Sequence, residues 1–242
     1  MIDAHTHLDF DAFDTDRTKV RRRAREAGVT QMIVPGVTRS QWTRAQALGL
    51  PWCAGFHPEW LSGESAAEVR TSLEEVTGVV GIGECGLDAR IDVPAEAQEA
   101  ILRAHLEIAQ ARALPVVLHV VGRHGAALDL LRDYAPVAGM VHGFTGAPEV
   151  AERYLALGLH LSFGPRVTYE KAAKARRSAR VVPAERLLLE TDDPAHPPHG
   201  APRPRNEPAF LALVADAIRD LRGEDIRDAT AANARRLFSL ET

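Results

Sequence analysis

Cysteine is scarce in this chain, with two in 242 residues, Cys53 and Cys85, each inside a short apolar run. That pattern excludes a disulfide framework and reads as two small core hydrophobes with free thiols. There is no excess of positive charge either: Lys and Arg number 29 against 33 Asp and Glu, and the net charge is −4. No global field draws the protein to nucleic acid or to an anionic membrane, so a polyanionic substrate has to be held locally. No apolar run approaches the roughly 18 residues of a membrane span, and the N-terminus lacks the basic-then-apolar build of a signal peptide. The expectation is a cytoplasmic, membrane-free and monomeric protein with one large core.

Short apolar runs at 1–8, 29–35, 51–57, 79–85, 115–119, 137–142, 159–163 and 186–192 read as strands. Segments of helical period separate them. The clearest spans about 94–113, where Ala97, Ile101, Ala104, Ile108 and Ala111 form an apolar stripe. Phe210, Val214, Ile218 and Leu221 mark a later helix capped by Gly223, and a last helix covers about 224–238. Eight strand–helix units with no hairpin turns predict a parallel α/β fold closed into a (β/α)8 TIM barrel, one domain over 1–242. The basic run Arg21-Arg22-Arg23-Ala24-Arg25 falls late in the first helix, away from the face where barrel sites form, and reads as a solvated surface.

Metal-competent residues recur at the strand ends. His5 and His7 are two apart, so on one strand they project to the same side. Glu84, His119, His142 and Asp192 end the strands at 79–85, 115–119, 137–142 and 186–192. Burying so many polar groups unpaired costs several kcal/mol each, and divalent cations remove that cost. His57, beside Pro58, is a candidate donor to a substrate oxygen or a structural residue. Glu190 faces inwards beside Asp192 as a support for a ligand, and Asn233 reads as a structural hydrogen-bonder.

The order of these residues resembles the TatD family of metal-dependent hydrolases, within the amidohydrolase-like superfamily. The resemblance rests on Asp3-Ala4-His5-Thr6-His7-Leu8-Asp9, Gly55-Phe56-His57-Pro58, Gly83-Glu84-Cys85-Gly86-Leu87-Asp88 and Leu114-Pro115-Val116-Val117-Leu118-His119. It continues in His142-Gly143-Phe144-Thr145-Gly146, Leu188-Leu189-Glu190-Thr191-Asp192, Arg205-Asn206-Glu207-Pro208 and Asn233-Ala234-Arg235-Arg236-Leu237-Phe238. It implies a site for two divalent metal ions, Zn, Mn or Mg. His5, His7 and Asp192 would hold one ion and His119 and His142 the other, with Glu84 bridging. Asp192 would take the proton of the attacking water. The implied activity is that of a hydrolase cutting phosphodiesters of DNA, a deoxyribonuclease or exonuclease, with DNA or another nucleic acid as partner.

Alternatives are hydrolysis of a small ester, lactone, amide or aminoacyl-tRNA ester on the same barrel, and a non-catalytic metal-stabilised scaffold. The chain departs from the family pattern at Ala89-Arg90, where an aromatic residue often follows the aspartate, and at Val121, where an arginine is usual. The loop after Asp192 has no tyrosine. Phe10, Phe13, Trp60 and Phe144 are candidates to stack on bases. Arg90, Arg123, Arg203 and Arg205 are candidates to meet phosphate, and Arg205, with Asn206 and Glu207, could equally hold the loop after the last strand.

Overall fold

The structure, a computed structural model, describes residues 1–241. Its strands are β1 (Ile2–Asp3), β2 (Gln31–Met32), β3 (Val34–Pro35), β4 (Trp52–Ala54), β5 (Gly81–Asp88), β6 (Val116–Val121), β7 (Gly139–Val141), β8 (His160–Phe163) and β9 (Leu187–Leu189). Its helices are α1 (Arg17–Glu26), α2 (Arg39–Ala47), α3 (Ala66–Glu75), α4 (Ala95–Ala111), α5 (His124–Leu131), α6 (Pro148–Ala156), α7 (Ala173–Val181), α8 (Leu211–Arg222) and α9 (Arg227–Leu237). All pairings are parallel, β1 with β2 and β3 through β9 in sequence order. The expected strand at 29–35 is divided between two ladders, because Met32 pairs back to β1 and Val34 forward to β4.

The ring closes where its first and last strands meet. Ala4 N–H donates to Leu189 O, Asp192 N–H to His5 O and His7 N–H to Asp193 O, at 2.9, 2.9 and 3.2 Å. Side chains reinforce this seam. Asp3 accepts from Thr191 N–H and contacts Thr191 Oγ1, while Asp193 contacts Thr6 Oγ1 and Thr191 Oγ1. The single hydroxyl proton of Thr191 cannot serve both carboxylates, at 2.5 and 2.7 Å, so one of the two acids keeps its own proton. Burial, and then the charge of Asp193, pushes Asp3 up, and burial pushes Asp193 up to about 7. Thr6 points away from its histidine neighbours, as strand alternation requires, but its role is this polar one.

Ile2, Ala4, Ile33, Cys53, Val117, Met140 and Leu188 fill the barrel, and α9 plugs its lower end with Ala231, Ala234 and Phe238. Asn233 fastens the plug by donating to Ala184 O and Leu187 O, the structural role expected of it. The larger core lies between strands and surrounding helices. Gly223 ends α8 in the left-handed conformation, φ +72°, which glycine tolerates best. Both cysteines are buried and free, and burial pushes their thiols up.

The basic run on α1 is less solvated than the sequence suggests. Arg21 reaches Leu48 O, and Arg23 pairs with Glu207 and Asp16. Among the described residues, no helix is long and apolar enough to cross a membrane.

Candidate metal centre

Glu84 is the hub. The sequence places it at a strand end, but β5 runs on to Asp88, with a register shift against β6 between Ile82 and Cys85. That irregularity lies at Glu84, whose carboxylate is 2% exposed and touches five imidazoles. Room for it depends on glycine: a Cβ on Gly83 would lie 2.5 Å from Val117 O, at φ +137°.

The two oxygens of Glu84 face different partners. Oε2 lies 3.3 Å from His5 Nε2 and 3.4 Å from His7 Nε2. These two nitrogens are 3.2 Å apart, and each is 3.6 Å from Asp192 Oδ1. Four donors on a tetrahedral ion with bonds near 2.0–2.1 Å are separated by about 3.3–3.4 Å. Five of the six edges here measure 3.2–3.6 Å, so the set fits a divalent ion. On the other side, Oε1 lies 3.2 Å from His119 Nδ1 and 2.8 Å from His142 Nε2, which are 3.0 Å from each other. The histidines lie just past β1 and β7 and near the end of β6, and Asp192 lies three residues beyond β9 in a left-handed conformation, φ +52°.

One orphaned atom supports the same fit: Glu84 Oε2, which faces His5 and His7, is buried without a hydrogen-bond partner. Burial alone would neutralise Glu84, but the imidazoles of His142, His57 and His5 hold it well below the usual carboxylate range. Burial lowers His7, yet Glu84, Asp192 and Asp9 outweigh it and the pKa rises to about 8. His142 is pushed well up against its own burial by Glu84 and Glu190. Burial, with the neighbouring His142, keeps His5 low.

Two of the surrounding groups assign tautomers. His119 turns Nε2 to Asp88 Oδ2 at 3.0 Å, so that nitrogen carries the hydrogen and Nδ1 is a free lone pair. Burial opposes ionisation of Asp88, but His119 and Arg90 hold its carboxyl well below normal. His57 accepts from Glu59 N–H at Nδ1, so Nε2 is its donor and faces Glu84 Oε1 at 3.2 Å. That makes His57 a donor in the site rather than a ligand. His5, His142 and Glu190 also lie within ligand distance of one another. Glu190 Oε1, however, accepts Gly143 N–H at 2.6 Å and faces His142 Nδ1, the nitrogen turned away from Glu84. It supports His142.

Other sequence candidates lie elsewhere. Arg205 pairs with Asp16, donates to Ala12 O and covers the Phe13 ring at 4.6 Å. It therefore braces the loop after β9 instead of facing a phosphate. Arg123 precedes α5 with a buried, unpartnered Nε and does not line the cleft over the centre, and Arg203 is drawn to Glu207 at 3.8 Å. Phe13 and Phe144 are buried core residues. Trp60 is 41% exposed, and with Phe10 it stands beside the centre, against His57 and His7 respectively. The support by Asp88 was missed in the sequence, although it stands in a quoted motif. The cleft itself holds about 290 Å³, with Arg90, Arg166 and His196 along its rim.

A family model described as TatD related DNase matches residues 2–239. A protein of Erwinia billingiae named 3'-5' ssDNA/RNA exonuclease TatD is 38% identical over 261 residues, covering 99% of each chain. The Bacillus subtilis metal-dependent hydrolase YabD is 33% identical, again over 99% of both. The crystal structure of YjjV, a TatD homologue from Escherichia coli, superposes with a TM-score of 0.92 at 34% identity, covering 100% of this chain and 98% of that one. With this fold and this cluster of imidazoles about one carboxylate, the chain belongs to the TatD family of metal-dependent hydrolases.

Proposed function

We propose that the chain works as one barrel domain that hydrolyses phosphodiesters of single-stranded nucleic acid, removing nucleotides from an end. The observation that carries this reading is the division of Glu84, one oxygen turned to His5 and His7 and the other to His119 and His142. His5, His7 and Asp192 would hold one divalent ion, His119 and His142 a second, and Glu84 both. Zn, Mn and Mg suit the mixed nitrogen and oxygen donors, with the four imidazoles favouring Zn or Mn. Bound ions would supply a water acidified to near neutral pH and charge neutralisation at the phosphate.

The protein's own groups do the rest. Asp192, with its side chain 33% exposed, is the one carboxylate of the set open to the cleft, and it accepts the proton of the attacking water. His57 Nε2–H orients Glu84, and can serve a substrate oxygen only by leaving that carboxylate. Trp60 and Phe10 offer a base the aromatic face that sequence-tolerant binding uses. The buried free thiols suit a reducing, cytoplasmic setting.

A second reading, hydrolysis of a small ester or lactone, is favoured by the cleft volume, which lies at the lower end for ligand sites. The test is chelation, reloading with Mn²⁺, Mg²⁺ or Zn²⁺, and assay on single-stranded DNA, duplex DNA, RNA, aminoacyl-tRNA and simple phosphodiesters. Shortening of single strands is expected. Failure to cut any nucleic acid, with turnover of small esters, would establish the second reading instead.

Two further results follow from the centre. Metal must displace the protons that His7 and His142 hold, so apparent affinity is greatest above pH 8. It falls as pH drops through 8, by about tenfold per unit for each proton displaced. Titration calorimetry in buffers of different ionisation enthalpy reads the released protons. An affinity flat between pH 9 and 6 contradicts the ligand set. Removing the support of His119 in Asp88→Ala is expected to weaken metal binding by roughly 10–100-fold with the fold intact, measured by competition with a chromogenic chelator.

A further inference from the structure

The cleft over the centre has a floor and a rim of opposite character. Glu84 and His142 lie at the floor, 2% and 7% exposed. Loops after β5, β8 and β9 supply Arg90, Arg166 and His196 along the rim. Arg90 is engaged: its Nη2 and Nε lie 2.7 and 3.1 Å from the Asp88 carboxylate.

Arg166 is different. It follows Pro165 in the short turn Pro165–Thr168, which is fastened by buried Val167 and by Thr168 Oγ1 donating to Pro165 O. Its backbone is thus anchored while its side chain stays exposed. Among the described residues its guanidinium has neither an ion pair nor a hydrogen bond, although it lines the same cleft as His119, His142 and Asp192. Other arginines among the described residues, such as Arg25, Arg153 and Arg177, are also unpaired, so what sets Arg166 apart is its place on the cleft. A guanidinium presents a planar fork of donors that fits two phosphate oxygens. Exposed on the lining of that cleft, it is placed to meet an anion outside the buried centre.

We propose that Arg166 receives a second phosphate of the substrate, next to the one that is cut, so that phosphodiesters bearing a neighbouring phosphate are preferred to isolated ones. This rests on the nucleic-acid reading above. It makes Arg166 a specificity-determining residue for the reaction.

The experiment compares thymidylyl-thymidine, with one phosphodiester, against the same dinucleotide phosphorylated at its 5' end and, separately, at its 3' end. Binding is measured by calorimetry on the whole chain with chelator present, so that nothing is cut. Wild type is expected to bind one phosphorylated form about tenfold more tightly or better. The end that gains identifies the side on which the second phosphate lies. In Arg166→Ala the preference should fall towards one, and Arg166→Lys, which keeps charge without the fork, should retain part of it. A preference that persists in Arg166→Ala, or none in wild type, overturns the proposal. The metal-reloaded enzyme is then assayed on the same compounds. Preferential binding through Arg166 without any cleavage would sink the nuclease reading and leave the anion receptor standing. Cleavage with equal binding would do the reverse.

Discussion

Glu84→Ala is expected to lose divalent metal to background, read by plasma mass spectrometry, and to lower kcat/KM by on the order of 10³-fold or more. Five imidazoles share this one carboxylate, so its removal takes a donor and a negative charge from both halves of the centre. Glu84→Gln separates the two halves. Its amide keeps one acceptor oxygen and turns a donor to the other side, so at most one ion should remain. Circular dichroism distinguishes either outcome from unfolding. Near-normal metal content and turnover in Glu84→Ala would end the bridging assignment.

Asp192→Asn is expected to behave differently. Asparagine accepts the left-handed backbone that position requires, φ +52°, so the loop should hold its shape. An ion held by His119 and His142 would have no need of Asp192. Loss of the proton acceptor should lower kcat by roughly 10²–10⁴-fold while KM changes little. Single-turnover and steady-state kinetics on single-stranded DNA separate the two constants. A variant with unchanged kcat would remove Asp192 from the chemistry, and a variant that only raises KM would make it a binding group.

The parts of this centre that the chain spells out locally were legible before any coordinates. His5 and His7 are two apart, and extended backbone turns such a pair to one side whatever happens at a distance. Strand-end placement did the same for His119, His142 and Asp192, because a parallel barrel gathers the ends of its strands at one face. Glu84 stands within β5 and not at its end, a setting hidden from the sequence because a register shift within a strand leaves no mark in hydrophobic alternation. Asp88 was missed because its importance depends on which nitrogen of His119 it meets, a matter of ring orientation across two strands. Sequence leaves Arg205 open between holding a loop and meeting a phosphate because its partner, Asp16, is 189 residues away, and an arginine destined for an ion pair looks the same in sequence as one destined for phosphate. Phe13 and Phe144 failed as stacking candidates because loop aromatics can turn inwards, which composition does not reveal.

The seam between β1 and β9 joins the first and last strands of the barrel, and His5 and Asp192 are stitched to each other across it. One half of the centre thus draws its donors from the earliest and the latest strands to leave the ribosome. A nascent chain that has made His5 and His7 but not yet Asp192 has only part of that half and no proton acceptor. Assembly of that half therefore awaits the last strand of the barrel.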